Sequence, residues 1–99
     1  MPLEFIRPLE DTTITELPKV VMFEAEVNKV NVPGKWLHNG LPIVAGDKYE
    51  IFGKGVIHRL TINNADGRDE GTYTLEVKDK KSEAKLMVEG ELGDVKVNL

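Results

Sequence analysis

Residues 69–77, with the sequence DEGTYTLEV, decide the fold of this chain. Tyr73, Leu75 and Val77 alternate with polar residues, so they share one face of an extended strand. Gly71 precedes the tyrosine, and a residue without a Cβ lets the chain turn sharply there. A tyrosine that enters a buried strand needs a partner for its hydroxyl. We expect that partner in the backbone of the preceding loop, an arrangement known as a tyrosine corner.

The tyrosine corner is characteristic of sandwiches of two antiparallel sheets, which commonly carry a disulfide that ends two residues after the tyrosine. Here that position is Leu75, and the matching position in a second predicted strand, residues 21–27, is Ala25. The apolar alternation of residues 21–27 is intact, so the strand is predicted without the bridge. Trp36, the only tryptophan, follows Ala25 by eleven residues. This spacing suits an indole packed across the place of the missing disulfide.

These motifs, with KWLHNG at residues 35–40 and HRLTI at residues 58–62, resemble the intermediate-set (I-set) immunoglobulin domains of giant sarcomeric muscle proteins. The resemblance extends over residues 3–89. It is greatest to the domains of titin, and those of obscurin and myosin-binding protein C are also similar. It implies an all-β, immunoglobulin-like sandwich of two antiparallel sheets with about seven to eight strands. It also implies that residues 11–17 pair in parallel with the last strand.

Turn signals divide the chain into short strands. Asn39-Gly40 is the strongest signal, because both central residues of a type I′ hairpin turn need positive φ. Turns are also predicted at Gly53-Lys54-Gly55 and at residues 78–81, and a polar loop at residues 63–69. Strands are expected at residues 3–7, 11–17, 21–27, 36–38, 41–43, 49–52, 56–62, 72–77 and 82–88. The sequence has no apolar stripe of helical period, so we expect minimal helix.

The length of 99 residues suits one domain, with residues 1–90 as the immunoglobulin-like unit. Residues 91–99 are interpreted as a linker or the start of a following domain, and the alternative is an additional pairing strand. A net charge of −4 without a basic stripe predicts no nucleic-acid partner. No apolar run approaches the roughly 18 residues of a membrane span, so no membrane partner is expected. We expect the isolated domain to be monomeric.

The chain contains no cysteine, and none of its asparagines begins an Asn-x-Ser/Thr glycosylation sequon. Secreted immunoglobulin domains usually carry one or both of these features. Met1-Pro2 is not followed by the apolar stretch of a signal peptide. These observations predict a reducing, cytoplasmic location, which the resemblance places in the sarcomere. The alternative is an extracellular domain whose signal peptide and cysteines lie elsewhere or were removed.

The two histidines do not predict a metal site, because neither their spacing nor any cysteine supplies further ligands. His38 is interpreted as a solvated strand end and His58 as a partly covered strand residue. Residues 64–70 place oxygen atoms at alternate positions, as a calcium loop does, but Arg68 lies among them and the closing glutamate is missing. We interpret this segment as a solvated loop.

Nucleophilic catalysis is not indicated either. Ser82, the only serine, is expected in a charged turn on a strand edge, without a neighbouring base. Gly53-Lys54-Gly55 lacks the strand-to-helix context of a phosphate-binding loop. The carboxylates are scattered along outward positions. We therefore predict no catalytic residue, no cofactor-binding residue, no metal ligand and no enzymatic activity.

The resemblance implies a structural function, as one link in a tandem of similar domains that bears tension and sets spacing in muscle. Its partners would be the neighbouring immunoglobulin domains of the same chain and other sarcomeric proteins. A sandwich that begins near Leu3 and ends near Val88 has its two ends at opposite poles, which suits a tandem. The alternative is a protein-binding module, either a sarcomeric scaffold or a cell-adhesion domain, that docks a partner on a sheet edge such as residues 41–44.

Overall fold

Alternating apolar and polar residues form nine β-strands in the computed structural model, which describes residues 2–15 and 19–89. The strands are β1 (Phe5–Arg7), β2 (Thr12–Ile14), β3 (Lys19–Val27), β4 (Gly34–His38), β5 (Leu41–Pro42), β6 (Tyr49–Lys54), β7 (Ile57–Ala65), β8 (Gly71–Val77) and β9 (Lys80–Val88). Within the described residues, the only helical element is a 3₁₀ helix, Gly67–Asp69. The predicted all-β class is therefore confirmed.

The strands form two sheets, with the orders β1-β3-β7-β6 and β2-β9-β8-β4-β5. Every hydrogen-bonded pair is antiparallel except β2 and β9, which run in parallel. β1 and β2 are the two halves of one edge segment, divided at Pro8, and the strands number eight when these halves are counted once. The immunoglobulin-like sandwich and the parallel pairing of its first and last strands are thus confirmed. Residues 16–17 of the strand predicted at residues 11–17, and the segment 91–99 interpreted as a linker or the start of a following domain, lie outside the described residues.

The core lies between the two sheets and consists of the inward faces that the alternation predicts. Ala25 on β3 and Leu75 on β8 are each 0% exposed. Trp36 on β4 is also buried, and Phe23 stacks on Tyr73 with 5.1 Å between the ring centroids. Close packing of apolar side chains is strongly stabilising even without a covalent bridge. Apolar side chains therefore fill the space between Ala25 and Leu75, where other sandwiches of this kind have a disulfide.

A tyrosine corner joins β8 to the 3₁₀ helix. The Tyr73 hydroxyl donates a hydrogen bond of 2.7 Å to the backbone carbonyl of Asp69, which confirms the predicted partner. The Asp69 carboxylate accepts from the backbone N–H of Asp66, and the Asp66 carboxylate accepts from the N–H of Arg68. This reciprocal capping satisfies backbone groups that the short helix leaves free. Gly71 has a φ of 138°, where a residue with a Cβ would be strained.

β7 extends further than the sequence predicts. It continues to Ala65, which is buried and pairs with Lys19, so the expected polar loop does not begin at residue 63. The Asn63 side chain donates hydrogen bonds of 2.9 Å to the Asp47 carbonyl and 3.0 Å to the Glu50 carboxylate. Contacts with neighbouring strands often override the weak strand propensity of asparagine. The connection to β8 is consequently short.

Two hairpin turns are shorter than predicted. The turn between β6 and β7 is Gly55-Val56 rather than residues 53–55, because β6 remains paired up to Lys54. The turn between β8 and β9 is Lys78-Asp79 rather than residues 78–81. Gly55 and Lys78 both have positive φ, which two-residue hairpin turns require. The sequence locates both turns but overestimates the first by one residue and the second by two; in the first, residues 53 and 54 stay in the ladder and Val56, predicted in a strand, joins the turn.

Replacing Tyr73 with phenylalanine tests the importance of the tyrosine corner. The variant keeps the ring but leaves the Asp69 carbonyl without its buried donor. We expect the free energy of unfolding to fall by about 1 to 3 kcal/mol, measured by urea denaturation. Tyr49→Phe is the matched control, because Tyr49 is only half-buried and its hydroxyl bonds to no other described residue. Equal losses in the two variants would contradict a special role for the Tyr73 hydroxyl.

Candidate functional site

The two ends of the described chain lie at opposite poles of the sandwich. At one pole the Asn28 side chain, directly after β3, donates to the Pro2 carbonyl and accepts from the Glu4 N–H. At the other pole the Glu70 carboxylate accepts from the Val88 N–H at 2.8 Å. β3 and β7 run the length of their sheet between these two poles. Each terminal segment is therefore attached to a different end of the molecule.

The parallel pairing of β2 with β9 joins the first part of the chain to the last. Ile14 is buried, pairs with Val88, and its carbonyl accepts a hydrogen bond of 3.1 Å from the N–H of Glu89. Upstream of β2, the Asp11 carboxylate accepts from the N–H of Lys85 at 2.8 Å. The connection therefore includes side-chain bonds as well as the strand ladder.

Ser82 extends this connection, in a position that differs from the prediction. It lies buried within β9 rather than in a charged turn, and its hydroxyl accepts a hydrogen bond of 3.0 Å from the buried N–H of Leu9. The alternation of Ala84 and Leu86 in β9 places Ser82 on the same inward face. That alternation is the sequence signal that could have located the serine correctly. Its hydroxyl binds backbone, and none of the described bases is hydrogen-bonded to it.

His38 is part of the tyrosine corner rather than a solvated strand end. Its ring is half-buried and stacks on Tyr73, with 4.3 Å between the centroids and 3° between the planes. Its Nε2 donates a hydrogen bond of 3.0 Å to the Glu70 carbonyl. The adjacent Asn39, at the turn between β4 and β5, accepts from the Thr72 N–H at 2.9 Å. The predicted Asn39-Gly40 turn, with both φ angles positive, therefore also holds the start of β8.

His58 is more deeply buried than the partial cover that the sequence predicts. Only 5% of it is exposed, and its Nε2 has no hydrogen-bond partner among the described residues. A Cβ added at Gly34 would lie 2.8 Å from His58 Nδ1, so that glycine makes room for the ring. Burial lowers the pKa of His58 below its usual value. The imidazole adjoins a groove of about 390 Å³ whose apolar lining includes Val32, Trp36, Ile51 and Phe52.

One lateral side of the sandwich exposes apolar residues, because β5 and β6 are both edge strands there. Leu41 and Val44 are 70% and 78% exposed. Ile51 and Phe52 on β6 are also exposed, and the Arg59 guanidinium lies 4.8 Å from the centre of the Phe52 ring. The segment of residues 41–44 that the sequence singles out is therefore at a sheet edge.

The carboxylates of residues 64–70 are bound by groups of the protein itself. The Arg68 guanidinium lies 2.8 Å from the Asp66 carboxylate. The hydrogen bonds that the side chain and the backbone N–H of Arg68 donate to this carboxylate lower the pKa of Asp66 to about 2. Lys48 Nζ lies 2.8 Å from the buried Asp69 carboxylate, so this segment is not simply a solvated loop. The described residues contain no cluster of three or more acidic or imidazole side chains able to hold a metal ion. They also contain no helix long and apolar enough to cross a membrane.

The variant His58→Leu should remove a specific pH dependence of stability. Because the pKa of His58 is lowered in the folded protein, the unfolded chain binds a proton first as the pH falls. Stability should therefore decrease as the pH drops below the ordinary histidine pKa of about 6.5, and level off below the folded-state pKa. Urea midpoints at several pH values measure this, and the decrease of the midpoint with falling pH should be smaller in His58→Leu than in the wild type. His38→Gln is the control, and it should keep the dependence; loss of the dependence in His38→Gln alone would refute the assignment.

The sequence matches the immunoglobulin I-set domain model over residues 3–89. Slow-type myosin-binding protein C of Rattus norvegicus is 46% identical over 72 residues, which cover 73% of this chain and 11% of that protein. Titin of Drosophila melanogaster is 34% identical over 99 residues, which cover 100% of this chain, while the share of titin rounds to 0%. The chain therefore spans only a small part of the curated relatives that it matches.

Solved structures of titin domains have the same fold. Domain I10 of titin superposes with a TM-score of 0.84 at 31% identity, covering 90% of this chain and 100% of that one. A tandem of titin domains I9 to I11 gives a TM-score of 0.84 at 33% identity, covering 89% of this chain and 33% of the tandem. The resemblance to the domains of titin and myosin-binding protein C is thereby confirmed. This chain belongs to the immunoglobulin I-set family.

Proposed function

We propose that this domain is a mechanical link in a tandem array of a sarcomeric muscle protein, where it bears tension and sets spacing. The observation that carries the proposal is the parallel pairing of β2 with β9 in a sandwich whose chain ends lie at opposite poles. The relationship to titin and myosin-binding protein C supports the sarcomeric setting. On this proposal, residues 1–90 form the unit and residues 91–99 lead to the next domain.

The pairing of β2 with β9 is oriented to resist a force that pulls the two chain ends apart. A pull on the two ends draws β2 toward the pole of Pro2 and β9 toward the pole of Glu89. The two strands run in the same direction, so this pull shears their ladder along its length. The bonds from Leu9 to Ser82 and from Asp11 to Lys85 are loaded together with the ladder. Several hydrogen bonds must then fail at once rather than in succession.

The proposal includes the setting of the domain. The partners are the neighbouring I-set domains of the same chain, and a tandem of three such domains is among the similar solved structures. Other sarcomeric proteins are further partners, and the location is the cytoplasmic myofibril. The family relationship favours a structural or binding role.

Thr12→Pro tests the mechanical role of β2. Ile14, two residues further on, accepts a bond from Glu89, so Thr12 has the same hydrogen-bonding orientation toward β9. Proline removes the Thr12 donor and fixes φ. We expect a large fall in the unfolding force when a tandem of copies is pulled from its ends in single-molecule experiments. The accompanying loss of equilibrium stability should be about 1 to 3 kcal/mol.

Asn63→Ala provides the control, because it removes hydrogen bonds on β7 that lie outside the pairing of β2 with β9. It should lower the free energy of unfolding by about 1 kcal/mol per lost bond, with little change in unfolding force. If the force falls in both variants in proportion to lost stability alone, β2 and β9 do not resist tension and the mechanical proposal fails.

A second candidate function is the docking of a protein partner on the edge formed by β5 and β6. The exposed Leu41, Val44 and Phe52 favour it, because an open strand edge with apolar side chains suits an added strand. The variant Leu41→Lys with Val44→Lys should abolish binding to a sarcomeric protein retained by the native domain, while leaving the urea midpoint nearly unchanged. Undiminished retention by the variant would exclude this edge.

A further inference from the structure

The two poles of the sandwich differ in charge. The N-terminal pole consists of the segment before β1, the last residues of β3, β6 and β8, and the first residues of β4, β7 and β9, as the strand registers show. His58 and Gly34 bring the two sheets together at this pole, and Tyr73 and Asp69 join them at the other. Apart from residues 7–11 around the break between β1 and β2, a charged residue in a loop or at the end of a strand can therefore be assigned to one pole or the other.

The N-terminal pole is basic. Its four lysines outnumber its two carboxylates, Glu4 and Asp79, and leave an excess of two positive charges. None of these lysines forms an ion pair with another described residue. Lys54 and Lys78 are exposed at the ends of the two hairpins. The lysines of this basic pole are Lys29, Lys54, Lys78 and Lys80.

The C-terminal pole is acidic. Counted in the same way over the described residues, it has five carboxylates against three cations, Lys19, Lys48 and Arg68, which is an excess of two negative charges. Two of these cations are already paired, because Lys48 binds Asp69 and Arg68 binds Asp66, each at 2.8 Å. The three remaining carboxylates, of Asp47, Glu70 and Glu89, are exposed and form no ion pair with another described residue, although one Glu70 oxygen also accepts from the Val88 N–H. Negative charge at this end is consequently available to a neighbouring molecule.

We propose that the acidic pole docks against the basic pole of a following domain of the same type, so that charge aligns consecutive domains head to tail. This inference rests on the proposed tandem arrangement and adds the surfaces and the interaction that would orient it. In a tandem, the C-terminal pole of each domain faces the N-terminal pole of the next. Complementary charge on those two surfaces favours alignment and disfavours the head-to-head and tail-to-tail arrangements, which would place like charges together.

We expect the two poles to associate when the domains are covalently linked, and not when they are separate molecules. Exposed ion pairs contribute little individually and are screened by salt, so separate copies at low concentration should stay monomeric. Covalent connection raises the effective concentration of the neighbouring pole into the millimolar range, where weak surfaces can meet. The expected result is a restricted range of angles between domains at low salt, without strong association of single domains.

A tandem of two copies of the 99-residue chain tests the proposal by single-molecule energy transfer. The absence of cysteine allows Glu10→Cys in each copy to carry the dyes, because Glu10 is exposed and lies away from both poles. At an ionic strength of about 0.1 M, the distances between dyes should be narrowly distributed. At about 1 M, where the Debye length is about 3 Å, the distribution should broaden.

Charge variants identify the surfaces. Lys54→Gln with Lys78→Gln in the second copy should give a broad distribution of distances between the dyes even at low salt. Lys85→Glu is the matched control, since it changes the net charge by the same amount on the side of β9, and it should preserve the narrowing. Urea denaturation of each variant as a single domain establishes that it is folded.

A full exchange of charges is the decisive arm. Lys54→Glu with Lys78→Glu in the second copy should broaden the distribution of distances between the dyes. Adding Asp47→Lys with Glu89→Lys in the first copy should make that distribution narrow again. Failure of the exchange to restore the narrowing, or an equal effect of Lys85→Glu, would overturn the proposal. The mechanical proposal is judged separately, because the force at which a single domain unfolds depends on β2 and β9 and not on the poles.

Discussion

The hydrogen bond between the Tyr73 hydroxyl and the Asp69 carbonyl is the interaction on which the arrangement of this end of the sandwich depends. Asp69 is fixed from its other side by Lys48 and by the N–H of Asp66. The Tyr73 ring is held between Phe23 of the opposite sheet and His38 of its own sheet. The Tyr73 side chain thus links both sheets to the loop that crosses between them. The position of this side chain fixes where β8 begins.

The core has to hold the sheets together by packing alone. Ala25 and Leu75 are both fully buried, as Trp36 nearly is, so apolar contacts occupy the region between the two inward faces. The buried His58 is the exception, since its Nε2 lacks a partner among the described residues. An unpaired buried polar atom lowers stability. The domain therefore has a mainly apolar core with one polar weak point near its N-terminal pole.

Local alternation was enough to predict the class of fold and most of its inward faces. Tyr73, Leu75 and Val77 were identified because a strand places every second residue on the same side. The sequence predicts only partial cover for His58 and a charged turn for Ser82, whereas each is buried at an inward position of its strand. The space for His58 depends on Gly34 in the other sheet, and such a long-range relationship cannot be deduced from neighbouring residues. The pairing of Ser82 with Leu9 is equally non-local.

The contact between β2 and β9 also governs how the domain recovers after it has been unfolded. Asp11 and Lys85, which flank this contact, are 74 residues apart in the chain. Closing so long a loop is entropically unfavourable, and folds dominated by contacts between distant residues form slowly. The hairpins of β6 with β7 and of β8 with β9 need only two-residue turns and can form early. On the mechanical proposal, resistance to shear would be among the last properties that a refolding domain regains, and a second stretch before this contact closes would meet less resistance.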